Sequence, residues 1–329
     1  MGTIWDIHST NIKILDCTVR DGGLVNDHHF EDSFVKRVYD TCVAAGIDYM
    51  EVGYKYTDRL FAPDKFGRWK FCREDDVRRV IGDMPSKIPL TAMIDVGKTD
   101  WRTDVSPKKQ SIFSVMRVAF YIYQLDEAID MINDSYQKGY DVWANLMAVS
   151  TLEKNQIENA LERLVKTPAS VIVVVDSFGS LYPQTMESLV SKYFSYASAA
   201  GKQVGIHAHN NQQLAFANSM EAIAHGATCV DATLGGLGRG AGNCPMELML
   251  GVLRNPKYSV RPVYGALEEL IAPMQKTNDW GPSPQYNITG QMNRHPREAI
   301  AARDNRESRE KYLSFYDQVR ATPPSAGVE

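Results

Sequence analysis

Residues 170–211 read SVIVVVDSFGSLYPQTMESLVSKYFSYASAAGKQVGIHAHNN. The run Ser170–Asp176 is apolar and β-branched, and Gln203–His207 is a second run of the same kind. Between them Tyr182–Ala200 has the length and spacing of an amphipathic helix, and Gly201 stands where a helix C-cap belongs. Strand, helix and strand in this order predict a parallel βαβ unit. The same texture extends in both directions, with β-rich runs at Ile12–Asp16, Tyr49–Val52, Leu90–Ile94, Ser114–Phe120, Val142–Val149 and Cys229–Thr233. Helical spacing recurs over Phe30–Ala45, Leu125–Lys138, Leu152–Val165 (with Thr151 as its expected N-cap), Gln212–Ala224 and Pro245–Leu253, and Gly226 reads as a further C-cap. Eight β runs alternating with helices over Ile12–Leu253 predict an α/β fold, a (β/α)₈ TIM barrel, whose usual span is about 250 residues. An open doubly wound sheet would also alternate, but no GxGxxG follows the first strand.

Beyond Pro262 the texture changes. Residues 262–329 hold seven of the fifteen prolines, a helix around Ala266–Lys276, a polar helix around Pro296–Gln318 and a frayed tail over Ala321–Glu329. The expected organisation is a catalytic barrel over residues 1–260 and a mostly helical accessory segment over 261–329. Of 329 residues, 40 are acidic and 36 basic, with no block of like charge, which argues against nucleic-acid and membrane-surface partners. Apolar runs such as Val171–Val175 are too short to span a bilayer. Met1–Asn11 lacks the pattern of a secretory signal. Cys17, Cys42, Cys72, Cys229 and Cys244 are odd in number, scattered and without a CxxC. They read as reduced thiols of a cytoplasmic protein, neither a disulfide framework nor a zinc site.

Barrel enzymes carry their chemistry at the C-terminal ends of the strands, and polar residues gather there. Strand one runs into Asp16-Cys17-Thr18-Val19-Arg20-Asp21-Gly22-Gly23 and strand two carries Glu51. Arg117 lies on strand four, Asn145 on strand five, Asp176-Ser177 at the end of strand six and Asp231 on strand eight. His207 and His209 are two apart, so both imidazoles project to one side of strand seven and could share a divalent cation. Asp21, in a turn expected over Asp21-Gly22-Gly23, is the expected third ligand. One carboxylate and two imidazoles without a thiolate suit Mn²⁺ or Mg²⁺, with Zn²⁺ as the alternative. The run Gly235–Gly242 lacks the GK[ST] ending of a phosphate loop and reads as a tight strand-to-helix connection.

Asp16-x-Thr18-x-Arg20-Asp21-Gly22, Glu51, His207-x-His209-Asn210 and Gly238-Arg239-Gly240-Ala241-Gly242-Asn243 together resemble the DRE-TIM metallolyases, the family of hydroxymethylglutaryl-CoA lyase. The motifs occur in family order over roughly residues 12–255. Arg117-Val118-Ala119, Val174-Val175-Asp176-Ser177 and the form GLGRGAGN lean toward the 4-hydroxy-2-oxovalerate aldolase branch. The resemblance implies that Asp21, His207 and His209 bind the metal with Asn243 beside it. It also implies that Arg20 holds the substrate carbonyl or enolate oxygen and that Glu51 anchors Arg20. Arg117, Asn145, Asp176 and Gly238 are the expected substrate-binding positions. Where aldolases of this family have a base histidine, three residues after the metal aspartate, this chain has Leu24. The candidate replacements are His28 and His29 on the same loop and Tyr286 and His295 in the C-terminal segment, with His28 and Tyr286 expected to be catalytic.

The activity implied is aldol or retro-aldol chemistry on a 4-hydroxy-2-oxo acid, giving or using a pyruvate-type enolate and an aldehyde. The alternatives are a Claisen-type acyl-CoA lyase or synthase of the same family and a non-catalytic barrel that binds a ligand or partner. The loop Tyr54–Trp69, with Lys55, Arg59, Lys65 and Arg68, could order over an anionic substrate. Barrels of this family commonly form homo-oligomers, and some pair with an aldehyde dehydrogenase through the C-terminal region, a partner that residues 262–329 do not themselves establish.

Overall fold

Val171–Asp176 is almost uniformly apolar because both of its faces are buried. Val171, Val173 and Val175 point into a barrel, whereas Ile172 and Val174 pack outward under helices. The computed structural model describes residues 11–82, 86–305 and 307–322; the N-terminal decapeptide and most of the expected tail lie outside them. Eight parallel strands close on one another in chain order. They are β1 (Lys13–Asp16), β2 (Tyr49–Tyr54), β3 (Leu90–Asp95), β4 (Val115–Phe120), β5 (Asp141–Leu146), β6 (Val171–Asp176), β7 (Gln203–Ala208) and β8 (Ala227–Ala232). Closure is made by β1 against β8, with Leu15 paired to Asp231 and Asp16 to Ala232. This is a TIM barrel with helices after it.

Strand alternation sets the interior. Leu15, Val115, Trp143, Val171, Val173 and Cys229 fill the lower barrel as one apolar cluster. One pleat further up, the inward positions become Glu51, Arg117, Asn145, His207 and Asp231, all buried. Outward residues of the same strands, among them Met50, Val52, Met116, Val118, Ile206 and Val230, join the main core beneath the helices. The period of two therefore places a charged layer directly on an apolar plug.

Local chemistry moves several expected boundaries. The helix expected to start at a Thr151 cap runs over Lys154–Leu164. Thr151 instead spends its hydroxyl on the Ala148 carbonyl (2.9 Å), and the Glu153 N–H is met by Gln156 Oε1 (2.9 Å). The helix expected around Ala266–Lys276 becomes Arg261–Ala266, a π-helical turn over Leu267–Ile271, and Ala272–Met274. Pro273 has no N–H to donate, so the regular ladder cannot continue through it. The long polar helix expected over Pro296–Gln318 divides into Arg297–Asp304 and Tyr312–Ala321. Asn305 Oδ1 accepts the Glu307 N–H (3.0 Å) and turns the chain between them. With Pro284–Gln291 these helices gather a small apolar cluster of Tyr286, Ala299, Phe315 and Val319, which Ala241 of the barrel completes.

Candidate active site and metal centre

β1 ends at Asp16, whose carboxylate receives the Thr18 hydroxyl (2.5 Å) and N–H (3.2 Å). That capping starts a short helix over Thr18–Gly22, so Asp21 is presented from a helix. The expected glycine turn is corrected here: Gly22 and Gly23 both have right-handed helical φ near −60°. Their lack of a side chain serves close approach instead. A Cβ on Gly22 would lie 2.7 Å from the Leu237 side chain, and one on Gly23 would lie 2.0 Å from His28 Nδ1.

Asp21 Oδ2 lies 3.1 Å from His207 Nε2 and 3.8 Å from His209 Nε2. The ligand atoms of Asp21, His207 and His209 all fall within 4.8 Å of one another, and the three residues are buried. The outer nitrogens of both rings are engaged elsewhere. His207 Nδ1 is 3.0 Å from Asp231 Oδ2, and His209 Nδ1 is 3.3 Å from the Gly242 carbonyl. This leaves both Nε2 atoms facing the carboxylate, the arrangement by which metal-binding histidines are held. Asn243 comes beside them through a backbone bridge to His209. Its Nδ2 donates to the Leu237 carbonyl (3.2 Å), while its Oδ1 is buried with no hydrogen-bond partner. Gly238 makes the room, since a Cβ there would stand 2.1 Å from Asn243 Nδ2 and 3.3 Å from Asp21 Oδ1. An orphaned carbonyl oxygen, a carboxylate and two oriented imidazoles fit a divalent cation.

The electrostatics follow from the neighbours. Burial works against the charged form of Asp21, yet the Arg20 guanidinium and the hydrogen bond from His207 hold its carboxyl well below the ordinary range. Asp231 is likewise depressed against burial, by Arg117 and His207. Burial pushes His209 far down, so it stays neutral and able to ligate. Arg20 donates through Nε to Glu51 Oε2 (2.6 Å) and through Nη1 to Asp21 Oδ2 (2.8 Å), while its Nη2 is buried without a partner. Glu51 Oε2 also takes Arg117 Nη1 (2.8 Å), and Arg117 Nη2 reaches Asp231 Oδ2 (2.6 Å) and Asn145 Oδ1 (3.0 Å). A continuous chain thus runs from Arg20 through Glu51, Arg117 and Asp231 to His207.

A cavity of about 160 Å³ opens on this set, lined among others by Arg20, Asp21, Arg117, Asn145, His207 and His209. Leu24 also lines it, so the apolar residue at the family histidine position sits on the wall. The structure separates the four replacements. His295 lines the cavity; His28, His29 and Tyr286 do not. His28 is buried edge-on to the Tyr54 ring at 5.4 Å, with both ring nitrogens unpartnered. His29 contacts the Lys65 carbonyl at 3.1 Å. Tyr286 is buried against Gly240 and the Arg303 guanidinium, whose carbon is 4.9 Å from its ring. Asp176 is placed apart from the cavity as well, its carboxylate capping the N–H groups of Ser180 (3.0 Å) and Leu181 (3.2 Å). Burial raises its pKa to about 6.

Sequence reading placed Asp231 at the rim without a specific role and Tyr54 and Tyr56 on the possible substrate loop, and it gave no place to Asp95, Lys98 or Phe178, which line the cavity. The role of Asp231 behind His207 could have been read from strand parity, since it is an inward position on the neighbouring strand. The others sit on loops or at the mouth, where no periodicity marks them. The five cysteines are buried and free, and among the described residues no helix is long and apolar enough to cross a membrane.

Comparison with known proteins agrees with the geometry. Residues 111–269 match the HMGL-like family. The chain is 30% identical over 249 residues to 4-hydroxy-2-oxovalerate aldolase of Pelotomaculum thermopropionicum, covering 76% of this chain and 72% of that protein. It is 27% identical over 241 residues to oxaloacetate decarboxylase of Mycobacterium tuberculosis, covering 73% and 69%. Among solved structures it resembles the N-terminal domain of a candidate aldolase from Bacteroides vulgatus, with a TM-score of 0.76 at 24% identity over 94% of this chain and 100% of the other. With a closed eight-stranded barrel, the Arg20-Asp21 and His207/His209 motifs at its mouth and these relatives, the chain belongs to the HMGL-like (DRE-TIM) family.

Proposed function

We propose that this chain is a divalent-metal-dependent carbon–carbon lyase acting on a 2-oxo acid, with Asp21, His207, His209 and Asn243 holding the ion. The observation that carries the reading is the buried Asp21–His207–His209 cluster set beside an arginine with a free donor. A bound Mn²⁺ or Mg²⁺ would supply positive charge where a 2-oxo acid develops an enolate. Arg20, locked by Glu51 and Asp21, has Nη2 left to hydrogen-bond that oxygen as the C–C electron pair flows into it. Glu51 and Asp231 hold Arg117 beneath the site, and Asn145 adds an amide at the cavity wall. The apolar residues Met93, Ala119, Met147 and Val175 on the wall limit water beside the nascent carbanion.

Retro-aldol cleavage of a 4-hydroxy-2-oxo acid to pyruvate and an aldehyde is the leading reaction, in line with the aldolase relative. Leu24 on the cavity wall favours a second reading. Decarboxylation of a 3-carboxylated 2-oxo acid breaks the C3–C4 bond with loss of CO₂ and leaves the same enolate. It requires no acceptor for a hydroxyl proton, and one relative is named oxaloacetate decarboxylase. The test is a substrate panel on chelated and reconstituted protein. Pyruvate release from 4-hydroxy-2-oxovalerate or from oxaloacetate should vanish on chelation and return with Mn²⁺ or Mg²⁺. Thiol release from an acyl-CoA would move the assignment to Claisen chemistry. Full turnover of metal-free protein would sink the reading.

A further inference from the structure

Strict alternation along β2 would aim Gly53 into the barrel and Tyr54 away from it, since Glu51 faces inward and Met50 and Val52 pack outward. The pairing with β3 slips between Glu51 and Gly53. Gly53 then stands opposite the outward Ala92, and Tyr54 opposite Met93, which faces the cavity. An irregularity of this kind re-aims the side chain that follows it. It needs glycine here, because a Cβ on Gly53 would lie 1.9 Å from the Trp69 carbonyl. Tyr54 thereby lines the cavity together with Leu24 and Arg20. Its ring is held by aromatic neighbours, His28 edge-on at 5.4 Å and Tyr56 at 4.5 Å. The Arg20 guanidinium carbon stands 5.9 Å from the ring centre. A guanidinium offers donors only, so Arg20 can steady the Tyr54 oxygen but cannot take its proton. Burial raises the pKa of this phenol, which keeps it protonated at neutral pH.

Other proton carriers on the wall stand with partners of their own. Tyr56 donates to Asp95 (2.6 Å), Lys98 lies 3.9 Å from the same carboxylate, and His295 Nε2 lies 3.4 Å from Arg239 Nη1. Cleavage of a 2-oxo acid leaves an enolate whose C3 must gain a proton before pyruvate forms, and the Leu24 side chain has none to give. C3 is bonded to the carbon whose oxygen Arg20 serves, so a hydroxyl beside Arg20 stands near C3 of a substrate bound in that way. We propose that Tyr54 is the acid that protonates the enolate at C3. The assignment rests on the 2-oxo acid reading and deepens it, and the step is common to aldol cleavage and decarboxylation. The Tyr54 O–H bond breaks as the C3–H bond forms from the enolate electron pair, and the enolate oxygen returns to a carbonyl. The phenolate left beside the Arg20 cation takes its proton back from solvent water.

The test is exchange of the pyruvate methyl hydrogens with D₂O, followed by NMR on the full-length Mn²⁺-loaded chain. Beside it runs a calorimetric titration with oxalate, a planar stand-in for the enolate. The parent chain should catalyse the exchange. Tyr54→Phe should slow it by about 100-fold or more, the scale of general acid–base catalysis, and keep oxalate affinity within about fivefold, the loss of one hydrogen bond. Unchanged exchange would overturn the assignment and pass the proton to another group. An oxalate loss as large as the exchange loss would make Tyr54 part of the site's shape alone and equally overturn it. A second measurement uses the parent chain, with no substitution to disturb folding. An acid fixed on one wall reaches one face of the enolate, so 2-oxobutyrate should exchange one of its two C3 hydrogens in preference to the other. Equal exchange of both would overturn the assignment while leaving the 2-oxo acid reading intact. Absence of Mn²⁺-dependent exchange in the parent, for either acid, would sink the two together.

Discussion

Asp231 and His28 show how much a single buried side chain determines here. Asp231 touches no substrate position, yet it orients His207 through Nδ1 and neutralises Arg117. Asp231→Asn should weaken Mn²⁺ binding by about 10–100-fold, the usual effect of losing a carboxylate behind a metal histidine. Titration calorimetry checks this, and unchanged affinity would refute it. His28 acts on stability. Burial, helped by the nearby Lys70 and Arg20 cations, pushes its pKa down to about 3. The unfolded chain therefore takes up a proton near pH 6.5 that the folded chain refuses until about pH 3, and stability falls as pH drops through that window. For this residue alone the loss between pH 7 and pH 5 comes to about 2 kcal/mol. Asp16, which burial raises to about 7, acts in the opposite direction. Because Asp16 is common to both proteins, the difference between parent and His28→Phe isolates the histidine. Urea unfolding of chelated protein at the two pH values should show the variant losing less, and parallel losses would count against the account.

At the scale of elements, the loop after β8 carries the heaviest steric demands. Gly242 has φ +88°, and a Cβ there would lie 2.0 Å from the Gly236 carbonyl. The same residue gives its carbonyl to His209 Nδ1 and precedes Asn243. Gly242→Ala combines left-handed strain with a backbone clash, and should destabilise the chain by about 2 kcal/mol or more. It should also reduce Mn²⁺ affinity on the proposed reading, because the loop must move, carrying Asn243 and loosening the carbonyl that holds His209. Denaturant unfolding with a Mn²⁺ titration tests both parts, and loss of stability with unchanged affinity would refute the coupling. The strands work differently. Their period of two turns Glu51, Arg117, His207 and Asp231 inward above the apolar plug, so the charged layer follows from strand parity once the barrel closes.

For the whole molecule, the question is how the C-terminal helices belong to the barrel. They are tied to it by the Tyr286 ring under Gly240, by the Gly281 N–H on the Gly240 carbonyl (3.0 Å) and by Asn293 Nδ2 on the Ser150 carbonyl (2.7 Å). Tyr286 thus reads as an anchor. Tyr286→Ala should cost about 3 kcal/mol or more by leaving a cavity in a small cluster. Hydrogen exchange should show the helices from Pro284 onward opening early. Tyr286→Phe should keep kcat within about twofold, since the ring remains and only a hydroxyl outside the cavity is lost. A loss of two orders of magnitude in that variant would return the tyrosine to the chemistry.

The amino-acid sequence by itself determined the barrel and the Asp21, His207 and His209 cluster at its mouth. Alternating apolar runs reveal strands buried on both faces, and HxH, RD and the glycine loop fall at strand ends, where chain order and side-chain parity carry the information. The boundaries that shifted, at Thr151, Pro273 and Asn305, depended on local hydrogen bonds competing for the same backbone groups. Which of His28, His29, Tyr286 and His295 reaches the cavity was settled only by the tertiary structure. They lie on loops or in the segment after the barrel, and no periodicity links such residues to a distant site. The same holds for the meeting of Arg239 with His295, 56 residues apart, because packing of the C-terminal helices against the glycine loop brings the two together.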